Sequence, residues 1–395
     1  MKMRVRAGFM LVAALSSMGL AGCGHYICSE GANFGSSSCT TTGSGGGGGN
    51  LGNGTVYQYL LAEVGSSDGM AADTLDLATN TFQEATGFVA PPLPSTVVPD
   101  GGTVVVNLPG QKYLYIAFHN GTVYGYAING ATGALSSVPG SPYAVAGGTS
   151  ITSTPAGTFL FVSDSANGEI SAFSISGSDG SLTAVANSPF ASGIAAAQMT
   201  TDGQGKYLYA TEGGAQVAAL SIGSTGALTA VLGSPFSFGV SMAKVLGEST
   251  GKYLLGISGV DSHIYVFGIT SGTGVIAEVT GSPFATAATP LDLVVHPSGT
   301  FVYAFDGLSL PMEGYEISAS GTLTGVQGSP FTGVNLNAGQ FDQSGLYLFG
   351  TSQGTEVEFG PYSVDTGSGL ISALRYELGG FPGGSFAVSD LNDAP

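Results

Sequence analysis

The sequence predicts an all-β chain: a seven-bladed β-propeller, four antiparallel strands per blade, with the ring closed by the C-terminal strand. Two repeated phrases and the composition carry that expectation. The first phrase is Gly-Lys/Thr-aromatic-aliphatic-aromatic. It occurs in Gly110–Tyr115, Gly157–Phe161, Gly205–Tyr209, Gly251–Leu255 (Leu at the last position), Gly299–Tyr303 and, without the Lys/Thr, Gly345–Phe349. Its aromatic starts are 46, 48, 46, 48 and 46 residues apart. The second phrase, Ser-Pro-aromatic, keeps the same beat from Ser141, Ser188, Ser234, Ser282 and Ser329. Self-similarity at this period marks an array of small sheets. The 66 glycines show no three-residue period, which excludes collagen and assigns them to turns. Trp is absent, which disfavours the Trp-Asp propellers.

Within one repeat the elements follow from alternation and turn residues. Thr149–Thr154 reads as the innermost strand and Pro155-Ala156-Gly157 as a turn. Phe159–Asp164 alternates large and small residues as a second strand, and Ser165–Gly168 turns again. Glu169–Ser176 is a third strand; Leu182–Ala186 begins a fourth that ends at Ser188-Pro189-Phe190, where proline suits an outer edge because it cannot donate to a ladder. Residues 55–89 supply a diverged first copy with strands at Val56–Glu63, Thr74–Leu77 and Thr81–Phe88 but no innermost one. Gly384–Asp390 reads as an innermost strand without a blade. Its joining to the first copy closes the ring and removes two open edges.

Three segments precede or make up the domain: 1–22, 23–54 and 55–395. Met1–Gly22 has Lys2, Arg4 and Arg6, an apolar run from Ala7 to Met18 and a small-residue end. That is the pattern of a secretory signal peptide, too short for a membrane span. Leu20-Ala21-Gly22-Cys23 resembles the bacterial lipobox. The resemblance implies lipidation of Cys23, a membrane anchor without a spanning helix, and a place in the cell envelope; Gly24, where an Asp would retain the protein at the inner membrane, points to the outer one. Residues 23–54 form a Gly/Ser/Thr-rich tether. Cys28 and Cys39, the two cysteines left after Cys23, are expected to form a disulfide in an oxidising compartment; a metal site would have only His25 nearby to add.

After removal of residues 1–22 the chain carries five basic residues against 26 acidic ones, a net charge of about −21. That balance opposes nucleic acid and anionic headgroups, both of which are held by Lys and Arg. No His-Glu-x-x-His, Gly-x-Ser-x-Gly or phosphate-cradling Gly-Lys-Ser/Thr occurs, so the corresponding zinc-protease, α/β-hydrolase and nucleotide-hydrolase readings have no support.

The blade phrases Val294–Tyr303 and Gly321–Thr324 resemble those of the lactonase-type seven-bladed propellers, which include one class of 6-phosphogluconolactonase and the carboxymuconate cyclases. The resemblance spans about residues 55–395 and implies fold more strongly than activity, because these phrases build turns and packing. In such folds ligands bind at the channel mouth, on the face carrying the loops between second and third strands. Five residues beyond each aromatic start on that face stand Phe118, Asp164, Glu212, Ser258, Asp306 and Ser352; His119, Asp261 and His263 lie in or beside the same loops. Nine residues before the aromatic, on the innermost strands, stand Val104, Ser150, Gln198, Lys244, Asp292 and Ala338. A pocket of Gln198, Lys244, Asp292, Asp164, Glu212, Asp306, His119 and His263 is therefore the candidate site. Lys244 would orient an anionic or carbonyl ligand and a carboxylate would act as base. The plainer readings are an ion pair at a wet channel mouth and carboxylates that cap turns. A Ca²⁺ site from the loop carboxylates would match no known ligand spacing, and no other cofactor is implied.

A phosphate pocket needs several cations. Lys112, Lys206 and Lys252 fall in the turn before the second strand, on the opposite face, and Arg375 on an outermost strand. The residues therefore favour a lipid-anchored binding or scaffolding module, for a protein or a small polar ligand, over the second reading, a lactonase for an uncharged or weakly charged lactone.

Overall fold

The computed structural model describes residues 112–373, except 130–131, 307–309, 333, 335, 337, 343 and 352–358. It also describes Val89 and the strand backbones of Met3–Arg4, Val12–Leu15, Thr55–Val64, Ser67–Asp76, Thr81–Glu84 and Thr103–Val106. Cys23, Cys28, Cys39, Arg375 and Gly384–Asp390 lie outside the described residues. Among the described residues there is no helix, and the strands form seven antiparallel sheets in chain order. The third is typical, running Ser150–Ser153, Phe159–Asp164, Glu169–Ile175 and Leu182–Ala184 from inside to outside. The innermost strands from Thr103–Val106 to Ala338–Phe341 stand side by side around the channel.

Each sheet is flat and small, so the core lies between sheets. Leu160 and Val162 of the third sheet pack with Tyr113 and Tyr115 of the second, and clusters of the same kind fill the following four gaps. The repeated aromatic phrase is what joins one blade to the next. Tyr115, Tyr209 and Tyr303 donate their hydroxyls to the carbonyls of Gly180, Gly274 and Gly369 in the following blade, at 2.7, 3.0 and 2.8 Å. A buried Tyr needs such a partner for its polar end.

The Ser-Pro-aromatic phrase works at the outer edge. Its Ser–Pro bonds are cis. The serine Oγ accepts the third strand's N–H in five blades, for example Ala172 to Ser188 at 2.8 Å and Val266 to Ser282 at 3.1 Å. The outer strand is consequently split. Leu182–Ala184 pairs with one half of Glu169–Ile175 and Phe190–Ala191 with the other, where the sequence suggested one strand.

The first sheet departs most from expectation. Its inner edge, along Thr55–Val64, pairs with Val12–Leu15 and Met3–Arg4. Val12–Leu15 lies between Thr103–Val106 and Ala338–Phe341, so it takes the closing position that the sequence assigned to the C-terminal strand. The physical reason is that one open edge attracts any short apolar segment able to pair with it, and the full chain contains two.

Candidate functional site

The turns opposite the candidate face account for the first group of polar residues. Thr154, Asp202, Glu248, His296 and Asp342 each end an innermost strand and are buried. Asp202 Oδ1 accepts the N–H groups of Lys206 and Tyr207, both at 2.7 Å. Thr154, Glu248 and Asp342 bind the equivalent amides. His296 Nδ1 accepts Ser298 N–H at 3.1 Å while Nε2–H donates to the Gly345 carbonyl at 3.0 Å, which fixes a neutral tautomer; burial lowers its pKa. These residues hold turns.

Around the channel, the innermost strands present edge amides and carbonyls with no strand partner on that side. Side chains of the preceding blade satisfy them. Ser150 Oγ accepts Met199 N–H at 3.2 Å, and Gln198 Oε1 accepts Val245 N–H at 3.1 Å. Lys244 continues the series by donating to the Leu293 carbonyl at 3.3 Å and pairing directly with Asp292, whose Oδ1 also takes Leu293 N–H at 2.7 Å. The side chains of Lys244 and Asp292 are 23% and 17% exposed. The expected pair therefore forms, and its groups are already used in joining the fifth and sixth blades.

The loop carboxylates separate into two kinds. Asp164 is 5% exposed and spends both oxygens on its own turn, accepting Ala166 and Asn167 N–H at 3.0 and 3.3 Å and Asn167 Nδ2 at 2.5 Å. Glu212 is exposed and accepts Ala195 N–H at 3.3 Å. His119 lies exposed in the turn closed by Gly121 N–H to the Phe118 carbonyl. His263 stands with Nδ1 3.8 Å from Asp261 Oδ1, too far for a hydrogen bond, while Asp261 Oδ2 accepts the Tyr265 hydroxyl at 2.7 Å. Burial and Asp261 push that phenol up to about 12.

Asp306 differs from all of these. Both of its oxygens are buried and accept no backbone amide among the described residues, with Glu313 as their neighbour. Burial, then the neighbouring Glu313, pushes its carboxyl up to about 7. Glu313 opens the third strand of the sixth blade; its Oε2 accepts Ala287 N–H at 3.0 Å from the connection between blades five and six. Tyr315, two residues on, has its pKa raised by burial and by Glu313. Sequence reasoning missed Glu313 and Tyr315. The available signal was loop length: the third strand starts twelve residues after Phe301, against nine or ten in the four preceding blades. Among the described residues no group of three or more His, Cys, Asp or Glu side chains converges as metal ligands would.

Known proteins place this geometry. Residues 113–234 match the family profile described as "Lactonase, 7-bladed beta-propeller". No curated protein matches the sequence. A Bacteroides fragilis structure described as a candidate 6-phosphogluconolactonase is 19% identical with a TM-score of 0.60, over 79% of this chain and 91% of its own. The periplasmic gluconolactonase of Pseudomonas aeruginosa is 16% identical with a TM-score of 0.59, over 81% and 95%. Sqt1 of Chaetomium thermophilum, bound to the N-terminus of ribosomal protein L10, is 13% identical with a TM-score of 0.52, over 80% and 83%. At these identities the likeness is one of fold. In architecture over 79–81% of its length, and in sequence over residues 113–234, the chain is thus similar to the lactonase-type seven-bladed β-propellers.

Proposed function

We propose that the protein is a lactone hydrolase whose general base is Asp306, acting on a lactone without a phosphate. The observation that carries this reading is the buried Asp306 carboxyl beside Glu313, pushed up to about 7 by burial and that neighbour on the face where the loops gather. A base with that pKa is about half in its working form at neutral pH and still basic enough to take a proton from water. The step runs as follows: Asp306 accepts a proton from water, the oxygen attacks the lactone carbonyl carbon, the ring C–O bond breaks, and the proton passes to the departing ring oxygen. The product is an open hydroxy acid. Its new negative charge meets a protein of net charge −18, which favours release.

The same charge argues against a phosphorylated substrate. Lys244, the cation of the innermost strands, is already engaged by Asp292 and the Leu293 carbonyl. That engagement also supports the second reading, a binding module without catalysis, since Gln198, Lys244 and Asp292 are accounted for by the fold. The test is acid release from neutral and phosphorylated lactones by the wild-type protein and Asp306→Asn. The lactonase reading expects turnover of a neutral lactone and a loss of about 10²–10⁴-fold in kcat in the variant. A preference for the phosphorylated ring, or an equally active Asp306→Asn, contradicts it; absence of all turnover leaves the binding module.

The lipobox at Leu20–Cys23 supports a lipid-anchored location in the envelope. Fatty-acid labelling is expected in the wild type and not in Cys23→Ser, which should move to the soluble fraction; equal labelling of both would end that assignment.

A further inference from the structure

The loops around Asp306 carry an apolar lip. Val260 is 76% exposed, Leu291 61% and Leu310 37%, and they are three of the six exposed large apolar residues among those described. They occupy three elements of one face: Val260 the loop between the second and third strands of blade five, Leu291 the connection into blade six, and Leu310 the corresponding loop of blade six. The connection is fastened on both sides of its turn, Thr286 N–H to the Ser262 carbonyl at 2.9 Å and Ala287 N–H to Glu313 at 3.0 Å. Leu291 is held by its own N–H to the Phe305 carbonyl at 2.7 Å, next to Asp306. Aliphatic side chains kept in water beside a buried carboxyl form a surface that gains by being covered.

The polar groups nearby limit what covers it. A polyhydroxylated sugar ring needs several free donors and acceptors, yet on blades five and six Lys244 and Asp292 are engaged with each other and with the Leu293 backbone. Resting on the lactonase reading, we propose that the substrate is a lactone bearing an aliphatic substituent. Its ring lies at Asp306 and its alkyl chain runs over Leu291, Leu310 and Val260.

A series of γ-lactones from γ-butyrolactone to γ-nonalactone, with glucono-δ-lactone alongside, tests this. In the wild type kcat/KM should rise about fourfold per added methylene, the ratio expected from burying each one, and then level off. In Leu291→Ser/Leu310→Ser the ratio of γ-nonalactone to γ-butyrolactone should collapse toward one. Leu232→Ser, an exposed leucine of the blade-four outer rim, should keep the wild-type ratio and so controls for general damage. Turnover that is flat along the series, or that favours glucono-δ-lactone, overturns the alkyl-lactone assignment while leaving the hydrolase reading intact. No turnover of any lactone overturns both.

Discussion

Asp202 sits 1% exposed at the end of an innermost strand, and two backbone amides point at one of its oxygens from 2.7 Å. Asp306 sits at the opposite end of a strand with no amide pointing at it. The same side chain is therefore a turn cap in one place and, in the other, a carboxyl that burial and the neighbouring Glu313 push up to about 7. Replacing Asp202 with Ala strands the amides of Lys206 and Tyr207, and should cost about 2–4 kcal/mol in a urea unfolding experiment. A loss below about 0.5 kcal/mol, the scale of ordinary surface changes, would mean that water reaches the turn. This role was legible in the sequence, because an acceptor recurs at the same place in five blades. The role of Asp306 was half legible. Its position aligned with Asp164 and Glu212, but the feature that sets it apart is Glu313, which follows a lengthened loop that breaks the repeat.

Between elements, the blade-to-blade joints decide stability. The first aromatic of each second strand lies under the turn between the third and fourth strands of the following blade. At Gly274, where φ is +75°, an added Cβ would come within 2.3 Å of the Tyr207 ring; at Gly272, where φ is +83°, it would meet nothing within 4 Å. Gly272→Ala should therefore cost about 1 kcal/mol for backbone conformation alone. Gly274→Ala should cost about 2–4 kcal/mol, because the joint must also open. Equal costs, measured by denaturant unfolding, would show that the aromatic is not held there.

The Lys244–Asp292 pair belongs to the same scale. Lys244→Met alone leaves Asp292 partly buried without its cation and should destabilise. Lys244→Met with Asp292→Leu should regain most of the loss. Two single variants that unfold like wild type, but lose lactone turnover, would move the pair from the fold to the site. The adjacency of these residues followed from aligning the repeats. Their engagement with Leu293 did not, since hydrogen bonds to the free edge of the next innermost strand become visible only when the blades are side by side.

For the whole molecule, seven sheets must close into a ring; the period identified six of them and their order, and the alternation in residues 55–89 supplied the seventh. Closure was the part that pattern could not settle, since Val12–Leu15 and Gly384–Asp390 are both suited to one edge, and the first is what pairs there in the full chain. In a chain beginning at Cys23 the edge is vacant for the C-terminal segment. Deleting Gly384–Pro395 from that shorter chain should lower stability by about 3 kcal/mol or more, or cause aggregation through the open edge. The same deletion in the full chain should do less. Unchanged melting of the shortened, truncated chain would contradict closure by the C-terminal strand.

The central claim is that this propeller uses a carboxyl held near 7 as a base toward a lactone. The measurement that tests it most directly is the pH dependence of kcat/KM for a neutral lactone. Asp306 works only when deprotonated, and burial with Glu313 raises its pKa to about 7, so activity should be low at pH 5 and rise through about 7 to a plateau. In Asp306→Asn the remaining activity should lose that rise. A wild-type profile that is already flat from pH 5 upward, as an ordinary exposed carboxylate near pKa 3.9 would give, contradicts the account.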